Sequence, residues 1–590
     1  MKRGDVIAIH LENQTLFQIK IKVSNSSKSI LLVSKYKYSK YIVDGMIVYS
    51  IPSEYDKVAN SFKNFNEDAL IDTARIFQKN ISKGIFILIK DANVIMGAPI
   101  FDSSLAWMLI NNELVISDTI NNIAIFFNLP LSKSALGLHL INSLPYYPFQ
   151  NVPLWEGVNV VDPFCVLHYI NGRLDEVKTW QSPVLNNDVN STYKMLREHF
   201  LNVINHYIIE NSQLTADLSG GVDSATIVYL LKSLNANFKL YHSMSDSKVN
   251  SDSKWAQLIA NDINHSFTTL NSVGSSGKRF EANLDYPNGV LTDYPLLWAD
   301  SEGYASSIAE SNLNPSIHLM GLGGDELFSP MPAYAWSRIR EKKMRSFSLG
   351  LRYCLLSRTP IITGMIELMN KTSFKNAVKL EVNLGFDNQA SRKKRSNLNW
   401  CGPIRIPTWL TETCQNSTYE LALETIDAIS DSLDLDRSRH QTLESIIFQR
   451  RVVNQLNKAY EKDKITWEAP FLDFKIVDSA LSIPISYRQD QDMTKATLYY
   501  ATKGITPRDI FTRGFKGDYS EGMYESYKKA TKYNYNQIRD FKLVDLGLVD
   551  PDKLLFEQSM PTALDDRIES FDRLSAVERW LRIVMRHQSK

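Results

Sequence analysis

Over the first 180 residues, apolar and polar positions alternate in short blocks. The runs 5–10, 17–23, 29–33, 84–89, 94–97 and 113–117 are rich in β-branched and aromatic residues and are separated by Asn, Asp, Gly and Ser. That pattern predicts strands joined by tight turns. Runs 158–161 and 165–170 extend the series, and Asn171-Gly172 predicts a hairpin turn. The polar stretch 181–193 predicts a linker, and the apolar spacing of 193–210 an amphipathic helix. The pattern then changes. Strands at 213–218, 238–244, 266–270 and 316–320 alternate with helices starting near 225 and over 253–263. Such alternation predicts a doubly wound parallel sheet whose ligands sit at the carboxyl ends of the strands. From about 330 onward the spacing is mostly helical, clearest over 417–433 and 441–460, whereas 383–403 lacks strong periodicity. The expected organisation is a β-rich domain over 1–182 followed by an α/β domain with a helical C-terminal part over 183–590.

Composition narrows the function classes. A chain of 590 residues exceeds one hydrophobic core. Its 44% hydrophobic and 22% charged content is that of an ordinary globular protein. The net charge of +1 gives no overall electrostatic reason to expect nucleic acid or a membrane as partner. No apolar run is long enough to span a bilayer, and Val6-Ile7-Ala8-Ile9 is too short for the core of a signal peptide. Cys165, Cys354, Cys401 and Cys414 are scattered without a C-x-x-C pair, which fits a reducing, cytoplasmic setting. The basic run Arg392-Lys393-Lys394-Arg395 is read as a solvated loop, with contact to an acidic peptide segment as the sharper alternative.

Chemistry concentrates at the strand ends. Leu218-Ser219-Gly220-Gly221-Val222-Asp223-Ser224 links a predicted strand to a predicted helix. Backbone N–H groups at a helix start attract anions, and glycines let the backbone approach a ligand. Ser219 and Ser224 add hydroxyl donors, and Asp223 is placed to hold a divalent metal on phosphates. The chain has no Walker A loop. A second glycine-rich turn, Gly321-Leu322-Gly323-Gly324-Asp325-Glu326, follows a later strand, and Asp325 is a partner for Asp223 in a Mg²⁺ shell.

The first loop resembles the pyrophosphate-binding S-G-G-x-D-S loop of the N-type ATP pyrophosphatases, which split ATP between the α and β phosphates. The second resembles the S-G-E-G-S-D-E-x-F stretch of asparagine synthetase. Trp467-Glu468-Ala469-Pro470-Phe471-Leu472-Asp473, Lys495-Ala496-Thr497-Leu498 and Arg513-Gly514-Phe515-Lys516-Gly517-Asp518 resemble three further stretches of that superfamily. In the N-terminal part, Trp155 to Pro163 resembles the glutaminase half, with Phe164 where that family has glycine. The resemblance implies an α+β, Ntn-hydrolase-like (glutaminase-like) N-terminal domain and an α/β doubly wound ATP pyrophosphatase domain. It also implies ATP and Mg²⁺, with Leu218, Ser219, Gly220, Gly221, Asp223, Ser224, Met244, Met320 and Gly321 at the nucleotide. Asp223 and Asp325 would hold the metal. Lys516 would face the α-phosphate and the tetrahedral intermediate, and Lys495 the pyrophosphate.

Two departures shape the expected activity. The family's glutaminase uses a cysteine as its mature first residue, whereas Lys2 stands second here and no cysteine precedes Cys165. The N-terminal domain is therefore expected to be an inactive scaffold. The glutamate between the family's glycines is Leu322, which also differs from the tyrosine of β-lactam synthetase. The closest resemblance left is to the lasso-peptide cyclases. It implies adenylation of an Asp or Glu side chain in a ribosomally made precursor peptide, then macrolactam closure by the peptide's own N-terminal amine. A leader peptidase and a leader-binding protein are further partners implied by the resemblance, and Glu326 is one candidate base for the amine. An asparagine synthetase using free ammonia, a β-lactam-synthetase-like cyclase and an inactive scaffold are the alternatives.

Overall fold

A computed structural model describes residues 6–11, 14–22, 29–43, 46–59, 70–102, 104–141, 147–170, 172–210, 213–244, 250–270, 278–282, 289–295, 303–312, 314–341, 361–387, 398–429, 431–488, 493–513, 517, 520–559 and 565–588. Lys516 and the basic run 392–395 lie outside these residues. The chain divides into two units. One is Met1–Ala135 with Tyr147–Gln181, and the other is Leu136–Tyr146 with Ser182–Lys590.

The first unit is built from two six-stranded sheets. One runs in the order Val6–Leu11, Gln14–Lys22, Ser29–Ser34, Glu113–Ser117, Ala106–Ile110, Asn159–Val160. The other runs Arg173–Lys178, Cys165–Ile170, Asn93–Gly97, Phe86–Lys90, Met46–Ser50, Ser39–Val43. Alternation along each strand sends one set of side chains to the shared core, where Ile30, Leu32 and Ile116 meet Ile87, Met96 and Leu167. The opposite face of the second sheet, including Phe86 and Leu88, is covered by Val58, Ala74 and Phe77 of helices Pro52–Ala59 and Leu70–Asn80. Three strands fall outside the sequence expectation, Ser39–Val43, Met46–Ser50 and Ala106–Ile110, whereas the hairpin expected at Asn171-Gly172 is completed by Arg173–Lys178. The last carries Arg, Asp, Glu and Lys because it is a sheet edge, where only weak apolar patterning is needed. Phe164 has φ of 67°, the left-handed region, at the position where the resembled family has glycine. Its ring is buried against Phe101 and Trp180, which offsets a conformational cost of about 1–2 kcal/mol.

The second unit centres on a five-stranded parallel sheet ordered Phe267–Leu270, Phe238–Ser243, Leu214–Asp217, Ser316–Leu319, Ile465–Glu468. The fifth strand was not foreseen. It supplies Trp467, fully buried against His318 on its neighbour. Helices cover both faces. Helix Asp252–Asp262 meets the face carrying His242, and helix Tyr304–Glu310 the face carrying His318. The long helix ahead of the first loop starts at Val189, inside the stretch read as linker, and runs to Glu210. The two later helices are Glu412–Ala428 and Arg437–Ala459. Residues 383–386, the start of the stretch without strong periodicity, end helix Phe374–Phe386. Among the described residues no helix is long and apolar enough to cross a membrane.

His440, on helix Arg437–Ala459, is fully buried, and its Nδ1 accepts the Leu433 N–H at 3.1 Å. Burial pushes its pKa down to about 3. The folded state thus favours the neutral ring, and the unfolded state binds more protons below the ordinary histidine pKa of about 6.5. Urea titrations between pH 6.5 and 4.5 should show a stability loss of up to about 1.4 kcal/mol per pH unit from this group. The His440→Gln variant should show a correspondingly flatter pH dependence.

Candidate active site

Strand Leu214–Asp217 passes into helix Val222–Ser233 through 218–221, with Gly221 as the helix N-cap. The Leu218 N–H still donates to the Tyr241 carbonyl at 2.8 Å, so the loop leaves the sheet only after Leu218. Ser219 and Ser224 close the turn. Their hydroxyls are 2.8 Å apart, and Ser219 Oγ accepts the Gly221 N–H at 3.2 Å. Gly220 has φ of 83°, and a Cβ there would lie 2.2 Å from the Asp252 carbonyl oxygen. Glycine is needed for both the turn and the close approach to the next helix.

Two side chains fasten this loop to the start of helix Asp252–Asp262. His242 Nδ1 donates to the Leu218 carbonyl at 2.7 Å, which leaves Nε2 to accept the Ser253 hydroxyl at 2.8 Å. Arg513 Nη1 donates to the Gly220 carbonyl, and Nη2 lies 2.6 Å from Asp252 Oδ1. The same Asp252 oxygen accepts the Gly517 N–H at 3.2 Å. Arg513 and Asp252 are both buried, and the guanidinium sits 5.3 Å from the Trp255 ring centroid. A buried ion pair with further hydrogen bonds is costly to break from one side.

The second glycine turn packs directly on the first loop. A Cβ at Gly324 would fall 2.3 Å from Asp223 Oδ1, and one at Gly321 would fall 3.1 Å from Asp223 Cβ. Gly323 has φ of 93° and abuts Leu472 of the 467–473 stretch. Asp223 and Asp325 therefore face one space, and Lys495 occupies it. Its Nζ lies 2.5 Å from both Asp223 oxygens and 2.8 Å from Asp325 Oδ1. Lys495 is 6% exposed and sits in the left-handed region with φ of 55°, a conformation held by its surroundings.

Glu326 lies at the edge of this group. Its Oε1 accepts Gln449 Nε2 at 2.9 Å. Burial raises its pKa, with smaller same-sign contributions from Asp325 and Asp223. Met320 is buried, and its N–H donates to the Glu468 carbonyl at 2.8 Å. Met244, at the end of strand Phe238–Ser243, is 45% exposed. The structure thus brings together Asp223, Asp325, Lys495 and the two glycine turns, and leaves Lys516 outside the described residues.

Two features were not read from the sequence. One is the Arg513–Asp252 tie. The other joins the two central strands beneath the loop. His318 Nε2 lies 3.1 Å from Asp217 Oδ1, its Nδ1 lies 2.8 Å from Thr215 Oγ1, and the Tyr304 hydroxyl donates to Asp217. Neither has a local signature, since partners lie 261 residues apart in the first and 101 in the second.

A family model described as asparagine synthase matches residues 195–582. The microcin J25-processing protein McjC of Escherichia coli is 27% identical over 167 residues, 28% of this chain and 32% of that protein. The match therefore spans about a third of that relative's length.

Replacing Arg513 by Met strands the Asp252 carboxylate in a buried setting and should lower the unfolding free energy by about 3–5 kcal/mol in denaturant titrations. Arg513→Lys keeps the charge but loses the fork and should fall in between.

Proposed function

The chain belongs to the asparagine synthase family, and from that premise we propose that it is an ATP-dependent synthetase closing a macrolactam in a ribosomally made peptide. The observation that carries the reading is the convergence of Asp223, Asp325 and Lys495 on the S-G-G-x-D-S loop. An Asp or Glu side chain of the peptide attacks the α-phosphorus of ATP, and pyrophosphate leaves. The peptide's N-terminal amine then attacks the acyl carbon, and AMP leaves. Holding amine and acyl adenylate in one site makes the second step effectively intramolecular.

The loop suits the nucleotide, with exposed Ser219 beside the start of helix Val222–Ser233, whose first N–H groups would receive phosphate oxygens. Lys495 supplies positive charge where pyrophosphate would depart, and Lys516 would neutralise charge at the α-phosphate. Asp223 and Asp325 fit Mg²⁺, because both approach one cationic point, the Lys495 ammonium, within 2.8 Å. Two carboxylates are the usual protein share of a Mg²⁺ shell completed by phosphate and water oxygens. Bound there, the ion would supply Lewis-acid stabilisation of phosphate charge. Glu326 is the proposed base for the amine. Its raised pKa makes it a stronger proton acceptor than an exposed carboxylate, and Gln449 fixes its orientation.

The first unit is proposed to be an inactive, Ntn-hydrolase-like scaffold. Two facing six-stranded sheets with outer helices support that assignment. Cys165, the first cysteine in the sequence, lies in a strand, and its thiol is pushed up to about 12, first by burial and then by Glu176 and Asp162. A thiol held protonated is not a nucleophile at neutral pH.

The test is co-expression with the candidate precursor peptide and its processing proteins, followed by peptide mass measurement. Wild type should yield a peptide lighter by one water together with AMP. Asp223→Asn and Lys495→Met should each lower the yield by about 10²-fold or more. Glu326→Gln should retain pyrophosphate exchange into ATP while losing ring closure. An unchanged peptide, with asparagine formed from aspartate and ammonia, would replace this reading by an ammonia-dependent synthetase.

A further inference from the structure

Strand Ser39–Val43 ends the second sheet of the first unit. It pairs on one side only, with Met46–Ser50, in an unbroken register from Ser39↔Ser50 to Val43↔Met46. Alternate N–H and C=O groups along its outer side therefore meet no strand among the described residues. The strand carries neither a proline nor a bulge, two devices that blunt an edge. The opposite edge of the same sheet, Arg173–Lys178, is blunted by exposed side chains of both signs, Arg173, Asp175, Glu176 and Lys178. On Ser39–Val43 the exposed positions are Lys40 and Ile42, and Ile42 is 73% exposed. The charge here has one sign. Residues 29–43 hold Lys35, Lys37 and Lys40 and no Asp or Glu, while Asp44 lies outside the described residues. Lys37 and Lys40 are exposed and enter no ion pair among the described residues. Burial raises the Tyr41 and Tyr55 hydroxyl pKa values, with Asp56 a smaller contributor to both, and the two rings stack 3.6 Å apart. Tyr41 alternates with Lys40 and Ile42, so that acid sits on the other face of the sheet.

An open edge is a template for one more strand. We propose that Ser39–Val43 accepts an extended acidic segment of a partner protein as an added strand. Backbone pairing supplies the affinity, and alternate side chains the selectivity. Lys40 and Ile42 are two positions apart and share a face. The entering strand should therefore carry Asp or Glu beside Lys40 and an aliphatic residue beside Ile42. The edge is held ready for it. The Tyr38 hydroxyl, just ahead of the strand, accepts the Ile85 N–H at 2.9 Å, and the Tyr41–Tyr55 stack fixes the opposite face. A second copy of this chain is disfavoured, because lysines on an edge guard against pairing with a like edge. A nucleic-acid backbone would meet the lysines but leave Ile42 and the strand's N–H and C=O groups without partners. This inference is independent of the proposed reaction, because no residue of the edge belongs to the nucleotide site.

The test uses the full chain and a short capped peptide repeating glutamate, threonine, valine and threonine, which sets glutamate and valine alternately on one face of a strand. Fluorescence anisotropy should show it binding about tenfold or more tightly than the same peptide with lysine in place of glutamate. Raising the salt from about 50 to 500 mM should weaken that preference severalfold. Amide hydrogen exchange over 39–43 should slow about tenfold or more in the complex. Methylating the peptide's backbone nitrogens should abolish binding, because it removes the ladder donors. Lys40→Glu, at an exposed position, should leave the thermal unfolding midpoint unchanged and reverse the preference between the two peptides. Equal binding of the two peptides, binding that survives methylation, a preference unaltered by Lys40→Glu, or no binding at all would overturn the proposal. Protection of 39–43 that grows with protein concentration in the absence of peptide would overturn it too and reassign the edge to a second copy.

Discussion

A single ammonium group joins the two glycine turns of the candidate site. Lys495 Nζ contacts Asp223 from the first glycine loop and Asp325 from the second, and is itself almost wholly buried. Two carboxylates brought this close without a cation would repel, and the loops that carry them would separate. The glycines at 321 and 324 exist to permit that proximity, since a side chain at Gly324 would collide with Asp223. The same arrangement would give the proposed chemistry its charges. A lysine surrounded by acids and a pair of acids able to share a metal are two uses of one geometry.

The loop is fixed from a second side by Arg513 and His242, which tie its carbonyls to the start of helix Asp252–Asp262. A phosphate loop works by presenting preorganised N–H groups, and preorganisation requires that its carbonyls be occupied elsewhere. Asp252 also accepts the Gly517 N–H, so the loop and the residue following Lys516 share one anchor.

Much of this was legible from sequence because it is local. The strand–loop–helix around 218–224 has its signature in adjacent residues, as does the turn at 321–326. The alternation of strands and helices between 213 and 320 announced the parallel sheet. What was not legible depends on partners distant in sequence. Strand Ile465–Glu468 is four residues long and recognisable only by its pairing with Ser316–Leu319. Arg173–Lys178 is too polar to stand out by its own pattern, and only the Asn171-Gly172 turn ahead of it announced a strand there. Val189 begins a helix within a turn-rich stretch because tertiary packing outweighs local propensity.

The reach of the Lys495 contact has a consequence for how the protein comes into being. Asp223 and Lys495 are 272 residues apart. At a ribosomal pace of about 5–20 residues per second, the phosphate loop leaves the exit tunnel roughly 15–55 s before its cation does. During that interval the nascent chain carries the loop's sequence without the group that neutralises its acids. The Arg513 anchor arrives later still. The candidate site is thus assembled only late in synthesis, and a truncated translation product would carry the loop without the cation that joins it to the second glycine turn.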